Sequence, residues 1–190
     1  THPIPAHNML AICHFSSFRQ SMDITRHIVA LDPTAVELMD STMIALARDI
    51  DTYRPTVERF VSGEPEALLM VEFAGEDAAA QRRKLDDLEQ LLADHGFPDC
   101  MLKVPDPAFQ RDIMEVRKAG LNIMMSMKGD GKPVSFIEDC AVPLDDLGDY
   151  TERLNGVFHK HGVEGTWYAH ASVGCLHVRP VLNMKAEGDV

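Results

Sequence analysis

The stretch ALLMVEFAGEDAAAQRRKLDDLEQLLADH, Ala67 to His95, decides the fold. Ala67 to Phe73 is an almost unbroken apolar run of strand length. Glu76 to His95 carries the longest helical signal in the chain, with Leu85, Leu88, Leu91 and Leu92 on one stripe. Gly96 follows as a natural helix stop, and Met101 to Val104 reads as the next strand. The same order stands upstream. His7 to Phe15 reads as a strand, and Ser17-x-x-Gln20 is a capping-box pattern. Phe18, Met22, Thr25 and Val29 recur at helical spacing, Pro33 closes that helix, and Thr34 to Met39 returns as a strand. Strand, helix, strand, twice over, is the order of a ferredoxin-like α+β sandwich: an antiparallel sheet with helices on one face. Asp40 or Ser41 caps a further helix through Arg48, and the proline-containing segment Thr52 to Pro65 reads as a loop.

A second half begins after Pro105 and Pro107, so the expected division is residues 1–104 and 105–190 of one substrate-side unit. Ala108 to Ala119 is helical and Val134 to Val142 a strand. Pro143 opens a helix whose apolar side is Leu147, Tyr150, Leu154, Val157 and Phe158, stopped at Gly162. Gly165 to Ala171 and Leu176 to Leu182 are strands. The two halves are expected to be related in structure and the second to be unfinished, since its last strand runs almost to the end.

Bulk properties exclude several classes. The net charge of -12 opposes binding to a phosphate backbone, so nucleic acid is no partner. No apolar run approaches the roughly 18 residues of a membrane span. Thr1 to Pro5 shows no signal pattern, and the lack of an initiator Met points to a piece of a longer polypeptide. Cys13, Cys100, Cys140 and Cys175 form no CxxC pair and read as reduced thiols of a cytoplasmic protein.

The residues that could carry chemistry lie in the second half. In His170-Ala-Ser-Val-Gly-Cys-Leu-His177, a hairpin looping at Val173-Gly174 would set His170 directly opposite His177. Cross-strand Cβ atoms stand about 4.5–5.5 Å apart, close enough for two imidazoles to share one metal. Two polar strand histidines with ordinary hydrogen-bond partners are the simpler reading of that spacing alone. Arg117, near the end of its helix, could clamp a carboxylate bidentately or merely favour the negative end of the helix dipole. Glu138 and Asp139 interrupt an apolar strand. Alternation sends them to opposite faces, and Asp139 is a candidate to anchor Arg117 or a histidine. Lys128 to Lys132 (KGDGK) is a turn, not a phosphate loop.

Taken together, VELMD (Val36 to Asp40), EVRKAGL (Glu115 to Leu121), FIEDCAVP (Phe136 to Pro143) and HASVGCLH (His170 to His177) make the chain resemble the C-terminal domain of the FAD-linked oxidases of the vanillyl-alcohol oxidase superfamily. The nearest branch holds D-lactate dehydrogenases, the glycolate oxidase flavin subunit and D-2-hydroxyglutarate dehydrogenase. The resemblance implies a ferredoxin-like cap over a flavin bound mainly by another domain of the same polypeptide. It implies that Arg117 binds the substrate carboxylate. It also implies that His170 and His177 match the histidines of HxGDGNLH, which in metal-dependent members hold zinc or manganese. A further Glu ligand from a later Glu-His-Gly segment is expected beyond this chain.

There are departures. Ser172-Val173-Gly174-Cys175 replaces Gly-Asp-Gly-Asn, Met114 replaces a Trp, and Ile137 stands where some members have Lys. Arg179 stands where some members have Asn, and could read a second carboxylate. The implied reaction is hydride transfer from a small D-2-hydroxy acid to FAD, with electrons passing to an iron–sulfur centre, a quinone or a cytochrome. The intact enzyme would be cytoplasmic or peripheral to the inner membrane, and a homodimer is open. The competing reading is a non-enzymatic ferredoxin-like module for ligand binding or dimerisation.

Overall fold

A computed structural model describes residues 5–190; residues 1–4, most of the segment lacking a signal pattern, lie outside it. The first half contains β1 (His7–Phe15), α1 (Phe18–Val29), β2 (Ala35–Asp40), α2 (Ser41–Asp49), α3 (Arg54–Phe60), β3 (Ala67–Gly75), α4 (Ala78–Asp94) and β4 (Met101–Val104). It continues with α5 (Pro107–Lys118), α6 (Gly120–Met125), β5 (Lys132–Pro133), β6 (Ile137–Ala141), α7 (Leu147–Lys160), β7 (Glu164–His170) and β8 (Cys175–Leu182).

One antiparallel sheet runs β4-β1-β3-β2-β7-β8, with β5 and β6 both pairing to β8. The first four strands take the order 4-1-3-2 of a ferredoxin-like sandwich. In the second half β6, α7, β7 and β8 repeat its first three strands and first helix, with β8 between β6 and β7. The halves meet where β2 pairs with β7, Glu37 opposite His170 and Met39 opposite Tyr168.

The long helices cover one face. Leu69, Val71 and Phe73 of β3 meet Met22 and Ile28 of α1, and Leu85, Leu88 and Leu92 of α4; Leu147 and Phe158 of α7 and Leu176 and Val178 of β8 extend the same cluster. A second layer lies on the opposite face of the first half. There Leu10, Ile12, Leu68 and Met70 pack against Met43 and Ile44 of α2, Val57 and Phe60 of α3, and Ile113 and Val116 of α5. This double cover explains why Ala67 to Phe73 is continuously apolar rather than alternating.

Capping fixes several helix starts. Asp40 accepts from the Met43 N–H, Asp77 from the Ala79 and Ala80 N–H groups, and Asp106 from the Ala108 N–H. Each such cap is worth about 1 kcal/mol. Gly96 has φ +87, the left-handed stop expected after the leucine stripe.

Four local expectations need correction. The segment Thr52 to Pro65 is not all loop, because Pro55 sits in the first turn of α3, where its missing N–H costs nothing. Ser17 starts α1 but its side chain makes no capping bond. Val134 to Val142 is not one strand: β6 covers only Ile137–Ala141, and the two-residue β5 pairs separately with β8. Val157 is exposed rather than on the apolar side of α7.

Candidate functional site

The apolar layer over the second face ends at Tyr168. Beyond it the same face carries the polar residues singled out from sequence. Alternation along β8 buries Leu176 and Val178 under the long helices and sends Cys175, His177 and Arg179 to the other side.

The hairpin is wider than the sequence reading expects. Ala171–Val173 forms a 3-10 turn closed by Gly174 at φ +68. A Cβ at Gly174 would lie 1.9 Å from the Val142 carbonyl oxygen, so only glycine fits. The register is therefore His170 opposite Cys175 and Tyr168 opposite His177. His170 and His177 are not directly opposed, as expected from the sequence, but diagonal. Diagonal neighbours still share a face, and the two rings stand edge-on with centroids 5.2 Å apart. His177 also stacks on Tyr168 at 4.5 Å.

The second correction concerns Glu138 and Asp139. Alternation predicts opposite faces, but the register of β6 shifts between Ile137 and Cys140, and Asp139 takes φ +59. Asp is among the few residues that tolerate this left-handed backbone. The shift turns both acids toward β8. Glu138 accepts from Arg179, and Asp139 Oδ1 lies 2.8 Å from His177 Nδ1. Asp139 thus meets a histidine, not Arg117.

Arg117 comes from the last turn of α5 and is largely buried, as is Arg179. The Arg117 guanidinium donates to Glu37 of β2 and lies 5.4 Å from the centre of the Tyr168 ring. Its Nε is buried without a partner. Glu37 also takes His170, whose Nδ1 stands 2.9 Å and 3.0 Å from the two carboxylate oxygens. A carboxylate only accepts, so Nδ1 of each histidine carries the proton and each Nε2 keeps its lone pair. Imidazoles bound to metals are held this way, with the other nitrogen on a carboxylate.

Burial raises the Tyr168 hydroxyl above its usual range, against the lowering pull of Arg179 and Arg117. Burial also raises the Cys175 thiol, helped by the Asp139, Cys140 and Glu37 charges.

All the sequence candidates, Arg117, Asp139, His170, His177 and Arg179, therefore lie on one sheet face around Tyr168. Glu37 and Tyr168 escaped the sequence reading as site residues. Glu37 was visible as a lone acid between apolar neighbours in VELMD, but its partners are 80 and 133 residues away. The largest cavity, about 550 Å³, lies elsewhere, between β1 and α5 around Asn8, Gln110 and Met114. The site itself is a surface for something to pack against.

Two kinds of group were tested against this surface. Its donors suit a divalent cation: Asp139, Cys175 and His177 can bring one ligand atom each within 4.8 Å of one another. The nucleotide part of FAD does not fit here. Its pyrophosphate needs free cationic or N–H donors, and both guanidiniums already face carboxylates.

Residues 4–190 match the family described as FAD linked oxidases, C-terminal domain. The D-2-hydroxyglutarate dehydrogenase of Escherichia coli (strain K12) is 29% identical over 95% of this chain, which covers 19% of that protein. The mitochondrial D-lactate dehydrogenase [cytochrome] of Arabidopsis thaliana is 25% identical over 97% of this chain, which covers 31% of it. The chain thus spans a minor part of the curated relatives it matches. Among solved structures, p-cresol methylhydroxylase with substrate bound superposes with a TM-score of 0.66 at 13% identity, covering 95% of this chain and 39% of that one. The 4-ethylphenol oxidase from Gulosibacter chungangensis, in its isoeugenol complex, gives a TM-score of 0.61 at 10% identity, covering 99% and 42%. At such identities these two likenesses speak to the fold alone.

Proposed function

The chain belongs to the family of FAD linked oxidases, C-terminal domain, and from that premise we propose that it is the substrate-side cap of an FAD-dependent D-2-hydroxy acid dehydrogenase. Residues 1–104 and 105–190 form its two halves. The observation that carries this reading is the gathering of two guanidiniums and two imidazoles on one sheet face.

Arg117 holds the carboxylate next to the reacting carbon. Its unpartnered Nε and its single carboxylate partner leave hydrogen-bonding capacity on a planar fork suited to a carboxylate. Glu37 keeps that fork and the His170 ring in register with each other. Arg179, from the far side of Tyr168, reads a second carboxylate at the other end of the substrate, which favours a dicarboxylic D-2-hydroxy acid. The Nε2 atoms of His170 and His177 hold a divalent cation, zinc or manganese, and Asp139 orients His177. Such a cation polarises the substrate hydroxyl and lowers its pKa. FAD, bound by another part of the polypeptide, accepts the hydride.

The electron acceptor is an iron–sulfur, quinone or cytochrome partner. The full protein is cytoplasmic or peripheral to the inner membrane, and its assembly into a homodimer belongs to the same proposal. Among the described residues no helix is long and apolar enough to cross a membrane.

The test is substrate discrimination in the full-length enzyme. Replacing Arg179 by Met removes one charged hydrogen-bonding partner, worth about 1.5–3 kcal/mol. That should lower kcat/KM for dicarboxylic D-2-hydroxy acids by roughly 10–100-fold and leave D-lactate turnover nearly unchanged. Equal losses on both substrates would remove the distal role of Arg179. Full turnover of every acid after Arg117→Ala would remove the cap reading.

A further inference from the structure

We infer that the divalent cation lies on the Asp139 side of His177 and takes Cys175 as a thiolate ligand, giving an oxygen, nitrogen and sulfur donor set that selects Zn2+ over Mn2+. This rests on the proposed reading that a cation binds on this face, and it changes where the cation sits.

Three separate accidents of backbone bring the donors together. Gly174 turns the hairpin so that Cys175 opens β8 on the same face as His177. The left-handed Asp139 breaks the alternation of β6 and aims its carboxylate at β8. His177, between Tyr168 and Asp139, is largely buried and held from both sides. Ligand atoms of the three lie within 4.8 Å of one another. Around a tetrahedral zinc, with bonds of roughly 2.0–2.3 Å, neighbouring ligand atoms stand roughly 3–4 Å apart. Small side-chain rotations therefore suffice to close the set.

His170 does not belong to this group of three. Glu37 holds its Nδ1, and its ring stands edge-on to that of His177. Three protein ligands leave a fourth position for a substrate oxygen, the pattern of catalytic rather than structural zinc. On binding, two protons leave to solvent, one from the Cys175 thiol and one from His177 Nδ1, where the cation replaces the bridge to Asp139. Thiolate donors favour zinc, whereas manganese prefers oxygen-rich sites.

The experiment is Co2+ titration of the full chain under reducing conditions, followed by absorption spectroscopy. The inference predicts a thiolate-to-cobalt charge-transfer band that Zn2+ bleaches by displacement and a roughly hundredfold excess of Mn2+ does not. Cys175→Ser should abolish the band and weaken Zn2+ binding by at least roughly 10–100-fold, the loss ordinarily seen for residues one shell further out. Cys140→Ser and His170→Ala should keep the band. Cobalt bound without a thiolate band, and lost in His170→Ala, would overturn this inference while leaving a two-histidine cation site in place. No cobalt binding at all would overturn both.

Discussion

The same sheet face is finished differently in its two halves. Over β1 and β3 it is a hydrophobic layer, with Leu10, Ile12, Leu68 and Met70 sealed beneath α2, α3 and α5. Over β7 and β8 it carries Tyr168, His170, Cys175, His177 and Arg179, and the apolar layer stops at Tyr168. The boundary is β2, where Met39 joins the covered half and Glu37, two residues away, joins the polar one. Alternation alone therefore places core and site on one surface, and the short helices decide which part becomes which. The difference teaches that the covered half supplies rigidity while the bare half supplies chemistry.

Substitutions should respect that boundary. The largest loss is expected in the covered half. Leu68→Ala empties a fully buried position and should cost about 2–5 kcal/mol in denaturant unfolding. A cost within about 0.5 kcal/mol, typical of surface sites, would show that the second helical layer is not packed as described. At the boundary, Glu37→Ala strands the Arg117 guanidinium and frees His170. It should cost about 1–3 kcal/mol by the same measurement, and a larger fraction of substrate affinity in the full-length enzyme. A neutral result in both would separate Glu37 from the site.

A smaller effect is expected at the seam between the halves. Asp40 is fully buried, caps α2 and accepts from the Trp167 N–H of β7. Burial raises its carboxyl from 3.8 to about 7, the two backbone N–H bonds only partly opposing this. The folded chain therefore holds a proton that the unfolded chain has released between those values. Its contribution is complete below pH 3.8, falls as pH rises toward 7 and then levels off. Asp40→Asn keeps an acceptor oxygen and removes the titration. Its stability relative to the parent chain should rise across that window by at least about 1 kcal/mol. A difference constant with pH would refute the assignment. The smallest change belongs to the bare half: His170→Ala, at a half-exposed position, should alter unfolding by no more than about 0.5 kcal/mol.

Much of this was legible in the sequence. The leucine stripe of α4, its glycine stop and the strand Met101–Val104 are local patterns, and two successive strand–helix–strand units announce the ferredoxin-like order. The chemistry-bearing residue types were legible too, because acids, arginines and histidines stand out against apolar strands. What failed depends on backbone that breaks the regular period. The 3-10 turn at Ala171–Val173 moves the hairpin register by two residues, and the left-handed Asp139 cancels the alternation of β6. The short helix α3 hides among polar residues because only Val57 and Phe60 face inward. Glu37 could not be assigned because the pairing of β2 with β7 joins elements from opposite ends of the chain.

The claim that the bare half faces substrate is most directly tested by anaerobic flavin reduction in the full-length polypeptide carrying Arg117→Ala. Reduction by a D-2-hydroxy acid should slow on the order of 100-fold, about 3 kcal/mol of lost binding to the reacting species, with flavin content unchanged. Reduction at the parent rate with saturating substrate and unchanged KM would contradict the account.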